Sequence, residues 1–281
     1  MSALQVKGIS HAYAIKPVLE DIDIRLDAGR ILALVGPSGC GKTTLLHLCA
    51  GLLRCQTGSL HNSFSRTTLM FQQPRLLPWK TTCDNIGLGL KAAGLPRAQW
   101  QLRARAMGQA VGLDASALSQ FPHQLSGGMQ SRAALARALV LEPDLLLMDE
   151  PFSALDIGLK SQLHRLLLDH QATRSVAVLM ITHDLMEAVH LADTLLVMAS
   201  NPGRMAYRLD LALPARQRDD AFVHRTTAQL LAVPVVRSCF ELEALETTKC
   251  ADIDLCPESC NSELAQSIHL PRHTGAKGIS C

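Results

Sequence analysis

Two glycine-containing segments of the chain could each bind a phosphate group. The first is GPSGCGKT at residues 36–43, which follows the apolar run ILALV and fits the pattern G-x-x-x-x-G-K-[ST]. In such a loop the backbone N–H groups surround a phosphate, the lysine reaches the β- and γ-phosphates, and the hydroxyl binds Mg²⁺. The predicted nucleotide-contacting residues of this loop are Gly36, Pro37, Ser38, Gly39, Cys40, Gly41, Lys42, Thr43 and Thr44.

The second segment is LSGGM at residues 125–129, directly before an alanine-rich run of helical character. Ser126, Gly127 and Gly128 would expose N–H groups at the N-terminus of that helix, where an anion is favoured. One nucleotide does not obviously need both segments. The sequence therefore raises the question of which phosphate the second segment binds.

Polar residues that could carry out hydrolysis follow three apolar runs. Asp149 and Glu150 follow LLLM, and in a P-loop protein the first can hold Mg²⁺ while the second accepts a proton from an attacking water. Glu150 could instead only cap the loop that follows. Gln72 follows LMF and offers a neutral oxygen to Mg²⁺ or water, and His183 ends the run AVLMIT. Each of these two, taken alone, is equally compatible with a solvated turn residue.

The elements that must position these residues can be read from the hydrophobic pattern. Apolar runs alternate with helical patterns, which predicts a largely parallel sheet covered on both faces, an α/β fold of the P-loop NTPase type. The runs are ILALVG, RTTLMFQ, DLLLMDEP, SVAVLMITH and TLLVMAS. Before the first loop, LQVKGISHAY and VLEDIDIRLDAG alternate as an antiparallel β piece, and residues 89–118 are helical in pattern, which predicts a helical subdomain.

Composition limits the class of protein. The chain has 281 residues, of which 48% are hydrophobic, so it can bury a sizeable core. Its 27 Lys and Arg against 25 Asp and Glu give a net charge of +2, which argues against a nucleic-acid partner. No apolar run approaches the roughly 18 residues of a membrane span, and the N-terminus lacks the apolar core of a signal peptide. We expect a protein on the cytoplasmic side, with its nine cysteines as thiols or metal ligands.

The P-loop, LSGGM, LLLMDEP, SALD and ITHD occur in that order, and together they resemble the ATP-binding subunit of ABC transporters over residues 3–235. The resemblance implies an ABC ATPase fold with a helical subdomain at about residues 84–140, and ATP and Mg²⁺ as cofactors. It makes LSGGM the signature motif, SALD at residues 153–156 the D-loop with Asp156, Gln72 the Q-loop glutamine, a catalytic residue and Mg²⁺ ligand, and His183 the switch histidine. Tyr13 matches the aromatic residue that stacks on adenine. Thr43 and Asp149 are the other implied Mg²⁺ ligands, and Glu150 is the catalytic carboxylate.

The same resemblance answers the question of the second phosphate segment. In this family the signature motif binds the γ-phosphate held by the P-loop of the other subunit, which implies a head-to-tail homodimer with ATP between two copies. FQQPRLLPWKTTCDNIGLGL at residues 71–90 looks like the Q-loop region of nitrate, sulfonate, taurine and thiamine-precursor importers. A separate integral membrane permease and a solute-binding protein would then be partners. The subunit would lie peripherally on the cytoplasmic face of the inner membrane.

Two alternatives and one segment stay open at this point. A soluble ABC ATPase not coupled to transport usually carries a coiled-coil insertion or two fused ATPase domains, and a P-loop kinase or GTPase would leave LSGGM and His183 unexplained. Residues 236–281 are interpreted as a tail of unknown role. Cys250, Cys256 and Cys260 in this tail are spaced more loosely than a typical metal site, so an incidental or reducible tail is favoured over a metal or iron–sulfur site.

Overall fold

A computed structural model of the chain describes residues 2–242. The predicted Cys-containing tail lies outside the described residues from residue 243 onward. Within residues 2–242, no helix combines the length and the apolar character that crossing a membrane requires. The domain boundaries expected from the sequence stay a prediction.

In chain order the strands of the described residues are β1 (Ala3–Tyr13), β2 (Lys16–Asp27), β3 (Ile31–Val35), β4 (Thr57–Asn62), β5 (Thr67–Met70), β6 (Leu145–Asp149), β7 (Ala177–Ile181), β8 (Thr194–Ala199) and β9 (Arg204–Asp210). The helices are α1 (Lys42–Cys49), α2 (Thr82–Ile86), α3 (Leu88–Ala92), α4 (Arg97–Ala110), α5 (Ala115–Ser119), α6 (Gly127–Leu139), α7 (Ile157–Arg174), α8 (Leu185–Leu191), α9 (Asp220–Ala232) and α10 (Pro234–Cys239).

The larger sheet has the strand order β5-β6-β7-β3-β8-β9. Its first five strands are parallel, and these are the five strands that the apolar runs predict. Every residue of β3, β6 and β7 is buried, as expected for strands covered on both faces. Since parallel strands end at the same edge, the residues that follow β3, β5, β6 and β7 are brought together.

The antiparallel piece predicted near the N-terminus is also present. It forms a three-stranded sheet in the order β2-β1-β4. The larger sheet gains an edge strand that the sequence analysis did not identify, because β9 pairs antiparallel with β8.

Side chains that alternate along β3 pack into two cores on opposite faces of the larger sheet. Ile31, Ala33 and Val35 face the core that includes the helical segment, whereas Leu32 and Leu34 face the core shared with the three-stranded sheet and α1. The period of two along a strand produces this division.

Helix α1 covers only the first eight residues of the segment KTTLLHLCAGLL at residues 42–53. It ends at Cys49, and Gly51 follows with φ of 71°. The N–H of Gly51 donates to the carbonyl of Leu48 at 2.9 Å. Glycine is favoured in this left-handed conformation, which stops a helix, and the apolar residues after it belong to a turn.

Helices α2 to α6 occupy residues 82–139. Trp100 of α4 is 6% exposed and packs beside Gly87, where a Cβ would lie 2.4 Å from Trp100 Cε3. The close approach of the indole ring therefore requires glycine at this position.

Candidate active site

The loop at residues 36–43 connects β3 to α1 and is shaped by glycines. Gly36 and Gly41 have φ of 154° and 100°. A Cβ at Gly36 would lie 2.5 Å from the Met198 carbonyl oxygen, and one at Gly41 would lie 2.7 Å from Leu19 Cδ2. A side chain at position 36 would therefore collide with the backbone, and one at position 41 would be strained by the positive φ. The loop leads into the first turn of α1, whose N-terminal N–H groups favour an anion.

Lys42 lies at the start of α1 and is only 8% exposed. Its Nζ donates to the carbonyl oxygens of Gly36 and Pro37, both at 2.8 Å. No carboxylate lies within ion-pair distance of this Nζ among residues 2–242. The ammonium group is thus held inside the loop with its charge available to a phosphate.

The side chain of Cys40 is buried next to Lys42. The side chain is 1% exposed, its Sγ accepts a hydrogen bond from Lys42 Nζ at 3.6 Å, and a Cβ at Gly36 would lie 3.2 Å from the same Sγ. Cys40 can contribute backbone atoms to a phosphate site, while its thiol packs in the core.

Thr43 and Asp149 lie together where α1 begins and β6 ends. Thr43 Oγ1 donates to Asp149 Oδ2 at 2.8 Å, and Asp149 is 5% exposed. Burial raises the pKa of Asp149, the Thr43 bond opposes that shift, and Glu150 adds to it. A hydroxyl and a carboxylate are the hard oxygen donors that Mg²⁺ prefers, so this pair fits the ion that the family implies.

Glu150 follows β6 with a left-handed backbone, φ 47°. Gln72 Nε2 donates to its Oε2 at 3.1 Å, and His183 Nδ1 lies 3.3 Å from its Oε1. The strands β5, β6 and β7 that carry these three residues are neighbours in the sheet. The carboxylate is therefore held between an amide and an imidazole at the edge where the P-loop also lies. A carboxylate in that position can accept a proton from water.

Ser126 caps α6, because its side chain accepts the N–H of Met129 at 3.2 Å. A Cβ at Gly127 would meet no atom within 4 Å, whereas one at Gly128 would lie 3.3 Å from the Ala154 carbonyl oxygen of the D-loop. Within residues 2–242, no hydrogen bond joins Ser126, Gly127 or Gly128 to the P-loop of the same chain. At the start of α6, Gly127 therefore faces open space, whereas Gly128 packs against the D-loop.

Tyr13 and Asp156 contact other parts of the chain. Tyr13 ends β1, is 51% exposed, and has its ring edge-on to His11 with 5.1 Å between centroids. Asp156 caps α7 by accepting the N–H of Leu159 at 3.0 Å. Neither contact tests the predicted adenine or nucleotide role, so both roles stay predictions.

Arg137 is a further residue of this region, and the sequence analysis missed it. It lies in the last turn of α6 and donates to the carbonyl oxygens of Pro74 at 2.7 Å and Arg75 at 2.8 Å, just after Gln72. The helix that begins at the signature segment therefore also holds the Q-loop backbone. Only the side-chain geometry reveals this link, since nothing in the local sequence pattern marks Arg137.

A strand, a glycine-rich loop and a helix, with Asp149 and Glu150 at the end of a parallel strand two positions away in the sheet, define a P-loop nucleotide hydrolase. The sequence profile described as ABC transporter matches residues 19–153. The taurine import ATP-binding protein TauB of Escherichia coli strain K12 is 44% identical over 220 residues, 76% of this chain and 86% of the relative. The chain therefore belongs to the family of ABC transporter ATP-binding proteins, and it is an ATPase whose hydrolysis is coupled to transport.

Other similar proteins agree with this assignment. The aliphatic sulfonates import ATP-binding protein SsuB of Corynebacterium glutamicum is 41% identical over 229 residues, covering 82% of this chain and 93% of the relative. A solved dimeric bacterial ABC transporter cassette shares the fold, with a TM-score of 0.70, 24% identity, and coverage of 75% of this chain and 99% of that chain. An ATP-binding subunit of an ABC transporter gives a TM-score of 0.67 at 25% identity, over 80% of this chain and 99% of that chain.

Proposed function

We propose that the chain is the ATP-hydrolysing subunit of an importer for taurine or a related aliphatic sulfonate. The similarity to TauB at 44% and to SsuB at 41% identity supports a sulfonate over nitrate or a thiamine precursor. A separate integral membrane permease and a solute-binding protein are the proposed partners. The subunit would lie peripherally on the cytoplasmic face of the inner membrane.

The site geometry supports a specific division of work. Lys42 and the loop N–H groups would bind the phosphates of ATP, and Thr43, Asp149 and Gln72 would hold Mg²⁺. When bound, Mg²⁺ neutralises charge on the phosphate oxygens. Glu150 orients water and takes its proton, and His183 holds that carboxylate in place.

The remaining predicted contacts need a second copy of the chain. Ser126, Gly127 and Gly128 face outward from the start of α6, and no hydrogen bond ties them to their own P-loop within residues 2–242. We propose that they bind the γ-phosphate of the ATP held by the partner, with Asp156 close by in the D-loop. Tyr13 stacks on the adenine of the ATP bound in its own subunit.

One observation carries the hydrolytic assignment. The Glu150 carboxylate is bonded to Gln72 at 3.1 Å on one oxygen and lies 3.3 Å from His183 on the other. A residue that only caps the following loop would not need partners from two neighbouring strands. This arrangement favours general-base catalysis.

The test is transport by the subunit assembled with its permease in proteoliposomes, with ATP on the side of the membrane that the subunit faces and the solute-binding protein on the other side. We expect ATP-driven uptake of taurine or an alkanesulfonate and little uptake of nitrate. Glu150→Gln removes the base and retains the shape, so ATP hydrolysis and uptake should fall about 100-fold or more while ATP still binds. Uptake of nitrate in place of sulfonates would overturn the substrate class. Undiminished hydrolysis in Glu150→Gln would overturn the role of Glu150.

A further inference from the structure

A cluster of charged side chains between α7 and α8 is not used by the roles above. Lys160 of α7 lies 2.7 Å from Asp184 Oδ2 and 3.0 Å from Glu187 Oε1. His164, one turn further along α7, places Nε2 3.5 Å from the same Glu187 oxygen. Glu187 is 4% exposed and His164 is 7% exposed.

Because Glu187 is buried, its carboxylate needs a partner of opposite charge. A buried carboxylate without a partner is strongly unfavourable, whereas a paired one is tolerated. Among residues 2–242, Lys160 is the only lysine or arginine within ion-pair distance of Glu187. The cluster also includes an aromatic contact, because the ring of the fully buried Phe152 lies edge-on to His164 with 4.7 Å between centroids.

The position of the cluster in the fold relates it to two loops of the active site. Helix α7 begins directly after Asp156, so Lys160 lies about one turn from the D-loop. Helix α8 begins directly after Asp184, which follows His183. The two loops at the start of these helices are therefore attached to each other through Lys160.

We propose that Lys160 is a positioning residue that holds the D-loop and His183 in one fixed arrangement within a subunit. The proposal rests on the function proposed above. If the D-loop contacts the partner subunit, closure of the dimer around ATP reaches His183, and through it Glu150, by way of the Lys160 bridge. Lys160 acts through His183 and does not itself contact ATP.

The test compares three variants of the full chain by ATP hydrolysis, ATP affinity and thermal unfolding. Lys160→Met should lower kcat about 10- to 100-fold with KM for ATP changed less than about 3-fold, since displaced groups slow the reaction without altering the P-loop. Lys160→Arg should restore most of kcat, because a guanidinium can bridge the same two carboxylates.

The double variant Lys160→Met/Glu187→Gln separates positioning from stability. Removing Lys160 alone leaves Glu187 buried and unpaired, and removing both charges relieves that cost. We expect the melting temperature of the double variant to recover toward that of the parent while kcat stays low. Recovery of kcat together with the melting temperature would show that Lys160 only stabilises the fold, and it would overturn the proposal.

A matched control lies on the same helix. Arg174 in the last turn of α7 pairs with Glu142 at 2.7 Å, far along the helix from both loops. Arg174→Met should leave kcat unchanged, and an equal loss of kcat there would also overturn the proposal. Measurements on the parent chain and on His183→Ala distinguish failure of the proposed function from failure of the role of Lys160. A parent without ATPase activity contradicts the proposed function, whereas an active parent, an inactive His183→Ala and a fully active Lys160→Met contradict only the role of Lys160.

Discussion

At the scale of single residues, the P-loop buries the thiol of Cys40 beside the ammonium group of Lys42. The Cys40 side chain is 1% exposed, and its Sγ lies 3.6 Å from Lys42 Nζ. A sequence motif gives the residue type at this position but not the direction of its side chain. Chemical modification of Cys40 consequently depends on opening of the loop rather than on direct access.

Alkylation with N-ethylmaleimide near pH 8 tests this description. Of the cysteines in residues 2–242, Cys55 is exposed, Cys239 is half-buried, and Cys40, Cys49 and Cys83 are buried. Burial raises the pKa of Cys49 to about 12, so little of the reactive thiolate is present. We expect peptide mapping to show that Cys55 is modified at least about tenfold faster than Cys40 or Cys49. Labelling of Cys40 at the rate of Cys55 would contradict the buried orientation.

At the scale of elements, Lys160 joins α7 to α8 through ion pairs with Asp184 and Glu187. The stability that these ion pairs provide depends on pH. Burial raises the pKa of Asp184 and Glu187, but hydrogen bonds outweigh it and hold the pKa of each below its ordinary value of 3.8 and 4.5. Such carboxylates stabilise the fold above their unfolded pKa, and the contribution is lost as pH falls through the lower folded value. The pKa of Lys160 is raised above 10.5, so its contribution is lost only at higher pH.

The free energy of unfolding of the parent should therefore exceed that of Lys160→Met from about pH 8 to about pH 9, above the ordinary titration range of the histidines beside Glu187. Below about pH 4 the difference should shrink, because protonated Asp184 and Glu187 no longer need the ammonium group. Urea unfolding followed by circular dichroism at each pH measures this difference. A difference that persists undiminished to pH 3 would mean that the ion pairs do not stabilise the fold.

The elements themselves were largely predictable from the sequence, for a physical reason. Buried parallel strands are continuous apolar runs, and β3, β5, β6, β7 and β8 each stand out in this way. Strand β9 was missed because it is an edge strand with the polar sequence RMAYRLD, and only its pairing with β8 defines it. Chain position also predicts that polar residues after parallel strands converge, as Gln72, Glu150 and His183 do.

Contacts between side chains distant in sequence could not be predicted in this way. Arg137 reaches Pro74 and Arg75 across more than sixty residues, and Lys160 reaches Glu187 across α7 and the strand after it. Periodicity reports which face of a helix is buried, but it does not report which polar group on another element a long side chain meets. These two links are therefore findings of the structure.

At the scale of the whole molecule, the composite site makes a prediction that a single subunit cannot satisfy. Lys42→Ala should lose ATP affinity, and Ser126→Arg should keep it but block closure. Mixed, they form a heterodimer with one intact site, made from the P-loop of the Ser126→Arg chain and the signature segment of the Lys42→Ala chain. With Glu150→Gln in both chains to slow hydrolysis, size-exclusion chromatography with ATP should show more dimer in the mixture than in either variant alone. Loss of ATP binding by the Ser126→Arg monomer would mean that both segments serve one subunit.

The left-handed backbone of Glu150, φ 47°, has a consequence for how this protein can evolve. That conformation costs a residue with a Cβ about 1–2 kcal/mol, and asparagine or glycine at the same position would lose less. Random substitution followed by selection for heat resistance alone should accordingly enrich asparagine or glycine at position 150 and yield robust but inactive chains. Retaining a carboxylate there lowers stability by about 1–2 kcal/mol, so lineages that adapt to heat must gain their stability at other positions.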